Sequence, residues 1–265
     1  MKITQLRNAT LIVQFADVHL LVDPMLAARG QLPSLKFATR TRRRNPLVEL
    51  PDNAAAHLEQ VTHCLITHCQ KGHFDHLDRS AVRWLRERAT PVLCIPEDAD
   101  YLRRLRLKVQ VLATDEDGGF FGGSVTAIPC LHGEGFVGRL MAHGSGYLMR
   151  IPGEPSLYLA GDTLLTEDVR HCLQHLQPEI NVLPAGGAQF DIGGPIIMGL
   201  ADILSALSLS QGVVIANHLE ALDHCPVTRA ELEGQATRLR LSERLRVPLD
   251  GETLEFPAAA RADAA

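Results

Sequence analysis

Four side chains that can offer a lone pair to a metal crowd residues 68–76: His68, His73, Asp75 and His76, in Ile66-Thr-His-Cys-Gln-Lys-Gly-His-Phe-Asp-His-Leu-Asp78. Imidazole and carboxylate suit a borderline cation such as zinc, and a cation held this way can activate water for hydrolysis. One buried histidine is usually structural; a cluster on one short segment is harder to explain by packing. Three further positions follow the same order of apolar strand, sharp stop and one metal-competent side chain. They are His132 in Ile128-Pro-Cys-Leu-His-Gly133, Asp162 in Tyr158-Leu-Ala-Gly-Asp-Thr163, and His218 in Val213-Val-Ile-Ala-Asn-His218. Singly, a strand-capping histidine or an ordinary Gly-Asp-Thr turn would account for each. The repetition across the chain is what points to a shared centre.

Such a centre needs strands whose ends meet. Residues 61–66 read as a short strand, so the histidines begin where a strand stops, the place where open α/β folds put ligands. Before it, residues 2–6, 10–15 and 18–22 read as three strands with turns at Arg7-Asn8 and Ala16-Asp17, ended by Asp23-Pro24. After it come a helix over 79–88, capped by Asp78 or Ser80, a strand at 91–95, a helix over 97–105 and a strand at 108–112. An acidic turn at 115–119 leads to strands at 124–129, 146–151 and 156–160. A helix over 166–176, a strand at 180–183, a helix over 198–207 and a strand at 213–216 close the pattern. This succession predicts an α/β fold of two similar halves whose sheets face each other under outer helices. Residues 1–256 are expected to form one domain, and the proline and mostly alanine of 257–265 a disordered tail. Trp84 is expected in the core.

The 265 residues are 46% hydrophobic, enough for a large core. Lysine plus arginine is 26 and aspartate plus glutamate 31, a balance of −5, so nucleic acid is not an expected partner. No leader is apparent and no apolar run approaches the roughly 20 residues that span a bilayer. These features predict a cytoplasmic protein with a small-molecule substrate and no membrane partner, and leave a homo-oligomer open. Six cysteines without paired spacing are expected as free thiols.

The motif and the later strand ends resemble the metallo-β-lactamase-fold hydrolases, whose signature is Thr-His-x-His-x-Asp-His with a later histidine, aspartate and histidine. Nearly the whole chain takes part. The opening with Asp23-Pro24, the Leu-Ala-Gly-Asp-Thr turn and the final Asn-His resemble the branch that includes ascorbate-6-phosphate lactonase. The resemblance implies a four-layer αβ/βα sandwich. It also implies a first metal on His73 and His132, a second on Asp75, His76 and His218, and Asp162 bridging the two. One departure stands out: His68 and His73 are 73 − 68 = 5 apart where the family has two, so three residues are inserted. Either Gly72 lets the loop bulge and His68 completes the first site, or that site lacks a ligand or takes Cys69 as a thiolate, with Cys69 otherwise an inert neighbour.

The implied chemistry is hydrolysis by a metal-bound hydroxide, with two Zn2+ ions per chain, or manganese or iron, on the same nitrogen and oxygen donors. Asp75 would orient the hydroxide. His224, in Leu222-Asp-His-Cys-Pro226 and 224 − 218 = 6 positions past His218, is the candidate acid for the leaving group, against a capping or surface role. Asp78 is a candidate partner for a ligand histidine. His19, His57, His63, His171 and His175 are expected to be structural. The substrate is expected to be a small ester, lactone or phosphorylated compound, chosen by the proline-containing loop 26–53. The arginines of Arg40-Thr-Arg-Arg-Arg44 are either a solvated face or a mouth for an anionic substrate. The rival readings are a phosphodiesterase or nuclease of this fold, and a non-catalytic metal-binding scaffold.

Overall fold

Residues 1–258, apart from 41, 71, 115–118 and 142, are described by the computed structural model. The acidic turn at 115–119 therefore lies, but for Gly119, outside the described residues, as does the tail from 259 on. The β-branched and leucine-rich start folds as a meander of β1 (Lys2–Arg7), β2 (Thr10–Phe15) and β3 (Val18–Val22). Asn8 and Ala16 make its turns at φ 57° and 43°. The chain then crosses into parallel strands β4 (His63–Leu65), β5 (Pro91–Cys94) and β6 (Lys108–Val111). Short apolar strands of this kind need covering on both faces.

The second sheet opens with antiparallel β7 (Ser124–Pro129), β8 (Ser145–Arg150) and β9 (Leu157–Leu159). It continues through β10 (Ile180–Pro184), β11 (Val213–Asn217) and β12 (Leu245–Arg246), paired in parallel. With β13 (Thr253–Glu255) on the edge of β1, the sheet orders are β13-β1-β2-β3-β4-β5-β6 and β12-β11-β10-β9-β8-β7. Leu11, Val13, Leu20 and Leu65 from the first sheet pack with Tyr147, Met149, Leu159, Val182 and Ile215 from the second. The outer face of the first sheet is covered by α2 (Arg79–Glu87) and α3 (Pro96–Arg104), through Ala81, Leu85, Ala99 and Leu102. On the second sheet, α5 (Glu167–His171), α6 (Leu200–Leu209) and α7 (Arg229–Leu239) contribute Val169, Ile203, Leu207, Leu232 and Ala236. The result is the expected four-layer sandwich.

Several elements carried too little pattern to be read from sequence. The helices α1 (Ala54–Glu59) and α4 (Gly135–Leu140) are short, and α4 contains two glycines. Of α7 only Leu232 and Ala236 are buried, so its apolar stripe is thin; a reciprocal Thr228–Glu231 capping box starts it instead. The helix read at 166–176 is α5 followed by a π-helical turn over Cys172–Leu176. Trp84 is only partly buried, packed at the margin of the core with the Arg88 guanidinium 5.1 Å from its ring centre.

The loop after β3 is anchored by Arg7, whose side chain is fully buried. Its guanidinium donates to the carbonyls of Met25 (2.5 Å), Ala27 (2.8 Å) and Val48 (3.0 Å). These bonds fix a segment that the sequence pattern left irregular. Asp78 caps α2 through Ala81 N (2.8 Å) and also accepts from Ala27 N (2.6 Å), tying the loop to the helix that follows the histidines.

Candidate metal centre

The C-terminal ends of β4, β7, β9 and β11 deliver His68, His132, Asp162 and His218 to one place, where all four side chains are buried. Asp23 fixes the first of these ends by accepting from Thr67 N (2.8 Å) and Thr67 Oγ1 (2.6 Å). The insertion before His73 is absorbed at a turn on Gly72. Gly72 turns the backbone at φ 89° with nothing within 4 Å of where a Cβ would stand, and His73 N donates back to Gln70 O. The rings of His68 and His73 then lie 4.6 Å apart, with the His132 ring 5.3 and 5.1 Å from them. One donor atom from each of these three lies within 4.8 Å of the others, so they could hold one ion.

Asp75, His76, Asp162 and His218 form a second group with the same spacing. His76 Nε2 is 3.5 Å from Asp75 Oδ2 and 3.2 Å from Asp162 Oδ2; His218 Nε2 is 3.4 and 3.3 Å from the same two atoms. His132 Nε2 stands 3.8 Å from Asp162 Oδ2, so Asp162 lies between the groups. Close backbone packing makes this possible. A Cβ on Gly186 would meet His218 O at 2.2 Å, and His218 itself takes a left-handed φ of 58°, held by its N–H to Asn8 O (3.0 Å).

Each of the five clustered histidines has its Nδ1 engaged, which directs Nε2 inward. The partners are Thr67 Oγ1 for His68 (3.0 Å), Gln70 O for His73 (2.5 Å) and Asp23 Oδ2 for His76 (3.0 Å). His132 pairs with Ile196 O (2.8 Å) and His218 with Cys225 Sγ (3.5 Å). Metal-binding histidines are oriented in this way, because the outer contact sets both tautomer and ring angle.

Charge explains why the groups suit cations. Burial and the neighbouring histidines push His68 well below the ordinary histidine range, and chiefly burial lowers His132 to about 4. Both are neutral donors near pH 7, and His68 Nε2 is a buried atom with no hydrogen-bond partner. In the second group burial would neutralise every member. The mutual attraction of carboxylate and imidazolium outweighs it, holding Asp75 and Asp162 well below and His76 and His218 well above their usual values. Protons on the two imidazoles balance two buried carboxylates there, a task that a divalent cation can take over.

The remaining candidates divide. His224 is buried beside the second group, with its ring stacked on Phe190 (5.8 Å), and it lines a cavity of about 380 Å³ with Arg43, Gln189 and Cys225. Burial disfavours its charge, but Cys225 raises its pKa above the usual value; reciprocally, against burial, His224 and His218 bring the Cys225 thiol down to about 7. Asp78 is no partner for a histidine, since its carboxylate is occupied by Ala27 and Ala81; Asp23 serves His76 instead. Cys69 packs into the core under α2, where burial raises its thiol pKa, and belongs to neither group. Arg44 donates to Gly30 O and Gln31 O, so its guanidinium braces the loop. His19, His57, His63, His171 and His175 are in neither group. Asp23, Asn8 and Cys225 were missed as parts of the centre. For Asp23 the stop after β3 was a visible signal; for the other two the contact exists only in the fold.

Known proteins are similar to this chain in sequence and fold. Residues 19–229 match the Beta-lactamase superfamily domain. The UPF0173 protein YddR of Bacillus subtilis is 33% identical over 97% of this chain and all of its own length. A crystal structure of an isothiocyanate hydrolase from Delia radicum gut bacteria superposes with a TM-score of 0.87 at 34% identity, covering 97% of this chain and 100% of the other. That of a possible metal-dependent hydrolase from Veillonella parvula gives 0.87 at 26% identity, covering 97% and 99%. With seven metal-competent side chains gathered at the strand ends of this sandwich, the chain belongs to the β-lactamase superfamily and is a metal-dependent hydrolase of the metallo-β-lactamase fold.

Proposed function

We propose that the protein uses two metal ions, zinc by its donor set, to hydrolyse a small, uncharged isothiocyanate. The observation that carries the two-metal reading is the pairing of His68, His73 and His132 with Asp75, His76, Asp162 and His218 as two adjoining buried groups. The isothiocyanate reading rests on the full-length similarity to a hydrolase of that class. Exposed apolar side chains on the segments flanking His132 and Ile196 support it: Leu131 precedes His132, and Phe136 (75% exposed), Leu140 and Ile192 (84% exposed) lie on the segments that follow His132 and precede Ile196. An anionic ester or phosphate would meet Arg43 at the cavity wall but has less support, because Arg44 braces its own loop and Lys36 stands 3.9 Å from Asp191.

Bound cations supply Lewis acidity and bring the pKa of a water towards about 7. The chain supplies the rest. Asp75 Oδ2, facing both His76 and His218, orients that water, and Asp162 keeps the two groups in register. His224, raised in pKa and open to the cavity, holds a proton for the departing nitrogen. Addition of water to the carbon of R–N=C=S and cleavage of its C–N bond give R–NH2 and carbonyl sulfide, so one water is consumed.

The test is metal-free protein reloaded with zinc, manganese or iron(II) and assayed on benzyl isothiocyanate, a γ-lactone and bis(p-nitrophenyl) phosphate. We expect two equivalents of metal and equimolar amine and carbonyl sulfide. Faster turnover of the lactone or the phosphodiester would overturn the substrate reading, and a protein that takes up no metal would be a scaffold.

A further inference from the structure

Asn8 sits in the turn between β1 and β2, fully buried, and its amide borders the second group. Its Nδ2 lies 3.3 Å from His218 Nε2, the atom that also faces Asp75 and Asp162. Its Oδ1 is buried with no hydrogen-bond partner. The backbone carbonyl at this point is doubly engaged, since Asn8 O accepts from Gln5 Nε2 (2.8 Å) and from His218 N (3.0 Å). The side chain is therefore held beside the cluster by its own main chain, with little freedom to turn away.

A cation held by His218 would take the Nε2 lone pair. Among the described residues the amide N–H of Asn8 would then have no other hydrogen-bond acceptor, in a place where an unpaired donor is costly. A substrate bound at the second group would be the acceptor left to it. We propose that Asn8 is a catalytic residue, whose side-chain N–H donates to the substrate atom that gains negative charge as water adds. This rests on reading the second group as a metal site. A preorganised donor in a dry pocket acts in this way because it strengthens as charge develops and needs no reorganisation.

A plainer role exists for the residue. Asn8 has φ 57°, and asparagine tolerates the left-handed region better than most side chains. Glycine separates the two roles, because Asn8→Gly keeps the turn and deletes only the amide. We therefore compare Asn8→Gly and Asn8→Ala with the natural protein in three measurements: metal equivalents, thermal unfolding of the metal-free form, and kinetics on benzyl isothiocyanate. A fourth titrates inorganic thiocyanate into the cobalt-loaded proteins and follows the visible spectrum.

The expected result is unchanged metal content in both variants, metal-free stability retained by the glycine variant, and kcat lower by about 10²–10³-fold in each. Thiocyanate should bind more weakly to both. Full activity in Asn8→Gly would overturn the proposal in favour of the turn, and loss of a metal equivalent would make Asn8 a ligand instead. If the natural protein does not turn over the isothiocyanate, the substrate reading fails separately and thiocyanate affinity alone decides: equal affinity in all three proteins refutes the role of Asn8. Failure of the natural protein to take up a second cobalt ion would remove the basis of the proposal.

Discussion

Asp23 Oδ2 lies 3.0 Å from His76 Nδ1, and the same carboxylate holds Thr67, which in turn meets His68 Nδ1. One side chain at the end of β3 thus orients a member of each group. Asp23→Asn, which keeps the shape and removes the charge, should weaken metal binding by about 10–100-fold. The check is competition with a chelator of known affinity. A variant that binds both ions as tightly as the natural protein would show that Asp23 serves only the backbone of Thr67.

Cys225 does for His218 what Asp23 does for His76, through sulfur. Cys225→Ala should weaken the second ion selectively by a similar factor, about 10–100-fold, while Cys225→Ser keeps a hydrogen-bonding atom and restores part of it. Binding isotherms that resolve the two equivalents read this directly. Equal weakening of both ions would indicate a general packing defect.

His68→Ala tests whether the bulged loop builds a site. Loss of one metal equivalent and nearly all activity is expected, since only His73 and His132 would remain in the first group. Metal analysis by mass spectrometry decides it, and unchanged stoichiometry would leave His68 as a strand-end residue.

The pH dependence differs between metal-free and metal-loaded protein. His76 and His218 have folded-state values well above the usual histidine range. Their contribution is full below about 6.5 and is lost as pH rises through those raised values. Asp75 and Asp162, held low, contribute above about 4 and lose it as pH falls through their depressed values. Metal-free protein should therefore melt at progressively lower temperature on the alkaline side, whereas loaded protein should not. Zinc uptake should release protons and tighten with pH, measurable by calorimetry in buffers of different ionisation enthalpy. Uptake near neutral pH without proton release would contradict the charge assignment.

The arginine-bearing loop yields a contrast between neighbours. Arg44 is bonded to two carbonyls, so Arg44→Gln should alter KM equally for neutral and carboxylate-bearing isothiocyanates. Arg43 lines the cavity beside His224, and Arg43→Gln should raise KM only for the charged substrate, with an effect that shrinks in salt. Identical behaviour of the two variants would refute the distinction.

Much of this protein is written locally in its sequence. Strands β1 to β3 and the β4 stop are legible because their apolar and β-branched runs end in turn residues, and His68, His73, Asp75 and His76 are close in sequence for the same reason that they are close in space. The later strand ends with His132, Asp162 and His218 could be recognised one by one, since each follows a short apolar run. What local pattern could not decide is which side chains meet. Asp23 reaches His76 across 53 positions, and Asn8 reaches His218 across 210. Contacts of that range depend on the facing of two sheets, and no periodicity encodes them. The bulge at Gly72 is of the same kind. Its spacing looked like a missing ligand until the fold turned the backbone at Gly72 and returned His73 to the side of His68, because the strand ends, not the intervening count of residues, set where a donor atom lies.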